Sequence, residues 1–271
     1  MGTEVLVDGP ESASAPLVLM LHGWPDTREL WQLQVQALKG SHRCARFTWP
    51  GFDAKAPEAP RSLDEFVALV DAVGNALSPD APFVLCLHDW GCIYGYEYLA
   101  RFPQRVSKVV AMDIGDYNSG ALIASMPLSA KLAAAAYQLV LALVWVLGQK
   151  LKLHGPADAL TRAVAKFMKA PGAAHSMVYS MNLPYAMTWF GTQGGFKKAA
   201  KVREPSHPTL YFHGLHKPFQ FQSPRWLAAV NARADSKAVS LDTGHWMMLR
   251  RADVVNAEMR AFLVAGPLLP A

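Results

Sequence analysis

The chain has few cysteines: three in 271 residues, an odd number with no CxxC pair. That excludes a disulfide framework and a cysteine-based zinc site. Cys44, Cys86 and Cys92 lie in or beside apolar runs and read as buried thiols in a reducing compartment. Charge is also scarce. Asp, Glu, Lys and Arg make up 17% of the chain against 52% apolar residues, which excludes disorder and supplies a large core. The N-terminal stretch "MGTEVLVDGPESASAP" holds Glu4, Asp8 and Glu11 but no apolar core of signal-peptide length, so a cytoplasmic location is expected. There is no internal repeat and no long linker, and no cofactor or metal is expected.

Acids almost vanish from residues 119–204, where ten Lys/Arg face only Asp158 and Glu204. That segment carries +8 of a chain whose total is +5, so the remainder is −3. The basic residues carry no nucleic-acid motif, and no nucleic-acid partner is expected. A solvated lysine-rich surface is the ordinary reading. A basic face toward an anionic ligand, or a peripheral membrane contact through this segment, is the alternative.

Apolar runs and helical spacings alternate. "APLVLMLHG", "HRCARFTWPG", "PFVLCLH", "VSKVVAMDI", "PTLYFHG" and "KAVSLDTG" read as strands. Helices are expected over 29–40, over 62–77 with Ser62 and Glu65 at capping-box spacing, and in "CIYGYEYLARF", "SPRWLAAVNAR" and "ADVVNAEMRAFLVAG". The alternation predicts an α/β fold, a mostly parallel sheet flanked by helices. It breaks between about 117 and 205, where the pattern is helical. Residues 1–117 and 205–271 are therefore assigned to the core, and 118–204 to an inserted helical cap, or lid. Within it, residues 132–148 are apolar except for Gln138 and the Tyr137 hydroxyl. They lie at the lower edge of bilayer-spanning length, and their setting inside an α/β pattern favours a buried lid helix.

Two residues stand where chemistry is expected. Asp89, in "LHDWGC", follows a strand and precedes a helix, the position of a nucleophile elbow or of a plain N-cap. His245, in "SLDTGHWMM", lies in a loop before the last helix and suits a general base. "LHGWPD" ends the first strong strand, so the N–H groups of Trp24 and Trp90 are placed to form an oxyanion hole. His22 reads as a structural hydrogen-bonder.

Together "HGWP", "HDWG", "FPQRV" and "DTGHW" resemble the α/β-hydrolase superfamily, and within it the epoxide hydrolase branch, which shares "HDWG" with haloalkane dehalogenases. The likeness covers about 15–118 and 205–265 well and the lid more loosely. "YQL" and "MNLPYAM" are similar to the epoxide hydrolase segments that carry two lid tyrosines, at Tyr137 and Tyr185 here. The resemblance implies a hydrolase that opens an apolar, lipid-like epoxide to a diol. Asp89 attacks a ring carbon, the tyrosines stabilise the departing oxygen, and water activated by His245 cleaves the resulting ester. A carboxylate is needed because its ester, unlike a serine ether, can be hydrolysed. Trp189 is assigned to the substrate pocket.

Three positions depart from the family pattern. Lys217 stands where the acid partner of the histidine is usual; haloalkane dehalogenases often keep that acid after the preceding strand instead, and the resemblance implies the role for Asp113, which matches that place, with Asp116 and Asp242 as weaker candidates. Leu87 and Cys92 replace glycines around the elbow. Two other readings remain: a haloalkane dehalogenase using Trp90 with Trp189 or Trp145 as halide donors, and a non-catalytic ligand-binding member of the fold.

Overall fold

The computed structural model describes residues 3–54, 59–172, 174–202 and 204–264. Seven strands, β1 (Val5–Asp8), β2 (Leu17–Leu21), β3 (Arg43–Phe47), β4 (Phe83–His88), β5 (Val106–Met112), β6 (Thr209–Gly214) and β7 (Lys237–Leu241), form one sheet in the order β1-β3-β2-β4-β5-β6-β7. All pairs are parallel except β1 with β3. Strand β1 was not expected. It is four residues long, ends in an acid and lies at the sheet edge, too short to show a period of two.

The helices are α1 (Gln32–Leu38), α2 (Leu63–Leu77), α3 (Trp90–Arg101), α4 (Gly120–Ser125), α5 (Leu128–Gln149), α6 (His154–Phe167), α7 (Leu183–Phe190), α8 (Pro224–Ala232), α9 (Met247–Arg250) and α10 (Ala252–Val264). The central strands are apolar on both faces because both faces are covered. Leu17, Leu19 and Leu21 of β2 join Leu85 and Leu87 of β4 in a layer with α2, α3 and α8. Val18, Met20 and Cys86 face the other way, onto α1, α9 and α10. The three cysteines are unpaired and buried. Helix α2 starts as its spacing predicts: the Glu65 N–H donates to the Ser62 Oγ at 3.3 Å, and the Ser62 N–H donates to the Glu65 Oε2 at 2.7 Å.

Between β5 and β6 the described residues form no strand, only α4 to α7 and short 3-10 turns. Helix α5 packs against α6 and α7. One face, with Ala134, Leu141, Ala142 and Trp145, is buried. The opposite face is solvent-exposed and also apolar, so the helix is covered on one side only rather than buried. Its 22 residues, at a mean hydropathy of 1.8, are long and apolar enough to cross a membrane by length and composition alone.

Candidate active site

Strand β4 ends at His88 and α3 begins at Trp90, leaving Asp89 alone to make the turn, at φ 52° and ψ −123°. A non-glycine residue holds such a backbone only where its surroundings enforce it. Here the enforcement is close packing. A Cβ on Gly91 would stand 2.1 Å from the Leu21 carbonyl oxygen, so α3 approaches β2 closely only because that residue has none. The two departures from the family pattern are also accommodated. Leu87 is fully buried, and its side chain fills the space where a Cβ on Gly95 would lie, 2.4 Å from Leu87 Cδ2. Gly95 on the facing helix leaves the room that Leu87 on the strand occupies. The Cys92 thiol is buried and donates to the Met112 carbonyl at 3.4 Å.

The Asp89 side chain makes no capping bond to α3. Its Oδ1 accepts the Trp24 N–H at 2.7 Å, and Trp90 follows it directly as the first residue of α3. One of the two expected oxyanion-hole donors thus binds the carboxylate itself. Burial pushes the Asp89 carboxyl up from its ordinary range, while His245 and the two N–H groups pull against it.

His245 sits across from Asp89, its Nε2 3.8 Å from Asp89 Oδ2. Its Nδ1 bonds Asp113 Oδ2 at 2.6 Å. Asp113 follows β5 with φ at 79°, and is wholly buried. Lys217, itself buried, donates its ammonium to the other Asp113 oxygen. Burial alone would raise the Asp113 carboxyl, but Lys217 and His245 hold it below the usual carboxylate range. Burial likewise lowers the His245 imidazole, and Asp113 and Asp89 reverse this to a net rise. The lysine at the usual acid position therefore does not face the histidine; it clamps the acid that does. The other two candidates have other partners. Asp116 accepts from the Ser223 N–H and hydroxyl, each at 2.7 Å. Asp242 is exposed and pairs with His216 at 2.8 Å.

These groups line one cavity of about 820 Å³, with Trp24, Tyr137, Tyr185 and Phe219 among its walls. Tyr137 from α5 and Tyr185 from α7 meet edge to face at 6.0 Å between centroids. Burial pushes both phenols well above their ordinary value, so both are neutral donors. Trp189 is not among the lining residues and lies exposed at the end of α7, so its assignment to the pocket is corrected. Trp189 is four residues from Tyr185, but the helix ends at Phe190, where its last turn leaves the cavity wall. Among the described residues no group of His, Cys, Asp and Glu could hold a metal ion.

Three neighbours escaped the sequence reading. Lys217 looked like a loss and is a partner. His88 is wholly buried beneath His245, their rings 4.4 Å apart. Asp26 stands 4.0 Å from the His88 Nδ1 and accepts the Trp246 indole N–H at 2.9 Å. Burial pushes the Asp26 carboxyl up to about 7. The signal for both residues was an acid and a histidine in the very motifs that supplied Trp24 and Asp89. His22 is structural as expected: its Nε2 accepts the Trp49 N–H at 3.1 Å, and burial lowers its imidazole to about 4.

A family model described as "Alpha/beta hydrolase family" matches residues 18–258. Among curated proteins, 103 residues are 32% identical to the "Probable oxidoreductase EphD" of Mycobacterium tuberculosis, covering 37% of this chain and 17% of that protein. A stretch of 108 residues is 26% identical to "Epoxide hydrolase 1" of Caenorhabditis elegans, covering 38% and 26%. The chain therefore matches about a quarter or less of the length of these relatives. Among solved structures, an epoxide hydrolase from Bacillus megaterium, complexed with the product (R)-3-[1]naphthyloxy-propane-1,2-diol, superposes with a TM-score of 0.71 over 97% of both chains, at 17% identity. That likeness bears on the fold alone.

Proposed function

Because the chain belongs to the alpha/beta hydrolase family, we propose that it hydrolyses an apolar epoxide to a diol through an ester on Asp89. The observation that carries this reading is the joint presence, in one cavity, of a carboxylate at the elbow, an acid-supported imidazole facing it, and two neutral phenols. A phenol pair has no task in serine-type ester hydrolysis. It suits the alkoxide that a ring-opened epoxide releases.

In the first step Asp89 Oδ2 attacks a ring carbon, the carbon–oxygen bond of the ring breaks, and a tyrosine hydroxyl passes its proton to the new alkoxide. Partial desolvation makes the carboxylate a better nucleophile, and the Trp24 and Trp90 N–H groups keep it ionised and aimed. In the second step His245 Nε2 takes a proton from water, whose oxygen attacks the Asp89 carbonyl carbon. The same two N–H groups hold the oxyanion. The intermediate collapses and expels the alcohol, which takes the proton from His245. The acid proton left on Asp89 restores the tyrosine. Asp113 keeps the imidazole oriented and stabilises its charged form, and Lys217 keeps Asp113 ionised. Helices α4 to α7 act as the lid that walls this chemistry from water.

Carbon–halogen cleavage is less well supported. The Trp90 ring meets the Tyr185 ring edge to face at 5.2 Å and is not among the lining residues, the Trp24 indole donates to Asn182 at 2.8 Å, and Trp189 and Trp145 are not among the lining residues either. That leaves no pair of free indole donors at Asp89. A non-catalytic role is opposed by the intact Asp89–His245–Asp113 geometry.

The test is mass spectrometry of His245→Gln after incubation with an aryl glycidyl ether. Accumulation of one substrate mass on the peptide bearing Asp89, and its absence from Asp89→Asn/His245→Gln, is expected. Full diol formation by Asp89→Ala would refute the proposal.

A further inference from the structure

An exposed helix face in a water-soluble protein is ordinarily polar. The outer face of α5 is not. Leu128, Leu132, Val140 and Leu143 recur at helical spacing along it, with Leu128 71% and Leu132 61% exposed. Further exposed apolar side chains follow the C-terminus of α5 at Leu151, 63% exposed, and end α6 at Phe167, 86% exposed. So many exposed apolar side chains on one helix face mark a surface with an absent partner.

Charge identifies the partner. Lys150, Lys152, Lys166 and Lys169 are exposed around this patch and, among the described residues, form no ion pair. Across residues 119–204 only Asp158 and Glu204 oppose ten basic side chains. We propose that the outer face of α5 and the adjoining end of α6 dock on an anionic lipid surface, the leucines entering the acyl boundary while the lysines engage headgroup phosphates. A second copy is a poorer occupant, since a two-fold interface would press these lysines against their own images. A membrane span is poorer still, because the opposite face of α5 supports Tyr137 and packs against α6 and α7.

The position of the cavity gives the docking a purpose. Ala133 of α5, together with Phe167 and Lys169, lines the cavity and also borders the patch. A docked molecule would open its cavity toward the acyl layer, and a lipid-dissolved substrate would enter without crossing water. This last step rests on the epoxide reading above; the docking itself does not.

The test is flotation of the full chain with phosphatidylcholine vesicles, with and without about 30 mol% phosphatidylglycerol. The protein is expected to float only with the anionic vesicles and to be released by salt. Lys150→Gln and Lys166→Gln should each weaken the partition about fivefold, and Leu132→Gln/Leu143→Gln at least about tenfold. These side chains are exposed, so thermal unfolding midpoints should stay unchanged and certify the fold. Failure of the wild type to float, or flotation that every variant retains, overturns the proposal. So does concentration-dependent dimerisation in sedimentation velocity that the double-leucine variant abolishes, which would assign the face to a second copy. None of these readouts involves turnover, so failure here leaves the hydrolase reading untouched, and the converse holds.

Discussion

Replacing Lys217 by Met tests the arrangement that most distinguishes this site. Lys217 Nζ and His245 Nδ1 sit on different oxygens of the Asp113 carboxylate, so the two cationic centres lie roughly 5 Å apart. At an effective dielectric of about 20 their repulsion is about 3 kcal/mol, or about two pKa units. His245 is partly open to solvent, and screening brings the expected shift to about one unit. The sign follows from the charges. Lys217 pushes the imidazole down while Asp113 and Asp89 hold it up, so removing Lys217 raises it further. In the proposed mechanism the neutral imidazole is the base, so the rising limb of ester hydrolysis against pH should move alkaline by about one unit, with about a tenfold loss of rate below that limb. The buried Asp113 also loses one of its two partners, at about 3–5 kcal/mol of unfolding stability. Lys217→Gln keeps a donor and drops the charge, so it should shift the limb with a smaller stability loss. Single-turnover ester hydrolysis across pH and urea unfolding are the assays. A limb that stays in place or moves acidic in a folded variant would refute the reasoning.

Tyr137→Phe and Tyr185→Phe should each slow ester formation about 10²-fold and leave hydrolysis of the preformed ester near wild type, as read by stopped-flow fluorescence. Asp26→Asn should flatten the pH dependence of stability. The carboxyl, raised to about 7 in the fold, favours folding below the unfolded value near 4 and loses that contribution as pH climbs through about 7. Wild type should therefore lose about 4 kcal/mol relative to the variant between about pH 4 and pH 8, by urea unfolding. Gly95→Ala forces a Cβ against Leu87 and should destabilise by about 1–3 kcal/mol, with Leu87→Ala in the same chain restoring part of the loss.

The parallel sheet was legible because strands buried on both faces must be apolar, and β2 is so throughout, β4 up to His88, and β5 from Val109 to Met112. Strand β1 was not, because four residues at an edge need satisfy only one neighbour. Asp89, His245 and Trp24 were legible because each ends a strong strand or opens a loop at a fixed place in the fold. Asp113 could be named as the partner of His245 only through the resemblance, at the place where haloalkane dehalogenases often keep an acid. The clamp between the two comes from strand ends that are adjacent in space but 104 residues apart in sequence. Trp189 shared a helix with Tyr185 and was assigned its surroundings, but a helix leaves a cavity wall within one turn. The apolar outer face of α5 was hidden because a uniformly apolar run gives no sign of which side is covered.

Leu87 and Gly95 share one volume, and that has a consequence for descent. A chain with small residues at both positions is passable, at the cost of a void. A chain with bulky residues at both cannot close the turn that displays Asp89. Bulk could therefore pass between the strand and the helix only through the void, never through the overlap. The order of two substitutions, rather than either alone, decides which histories were open to this chain.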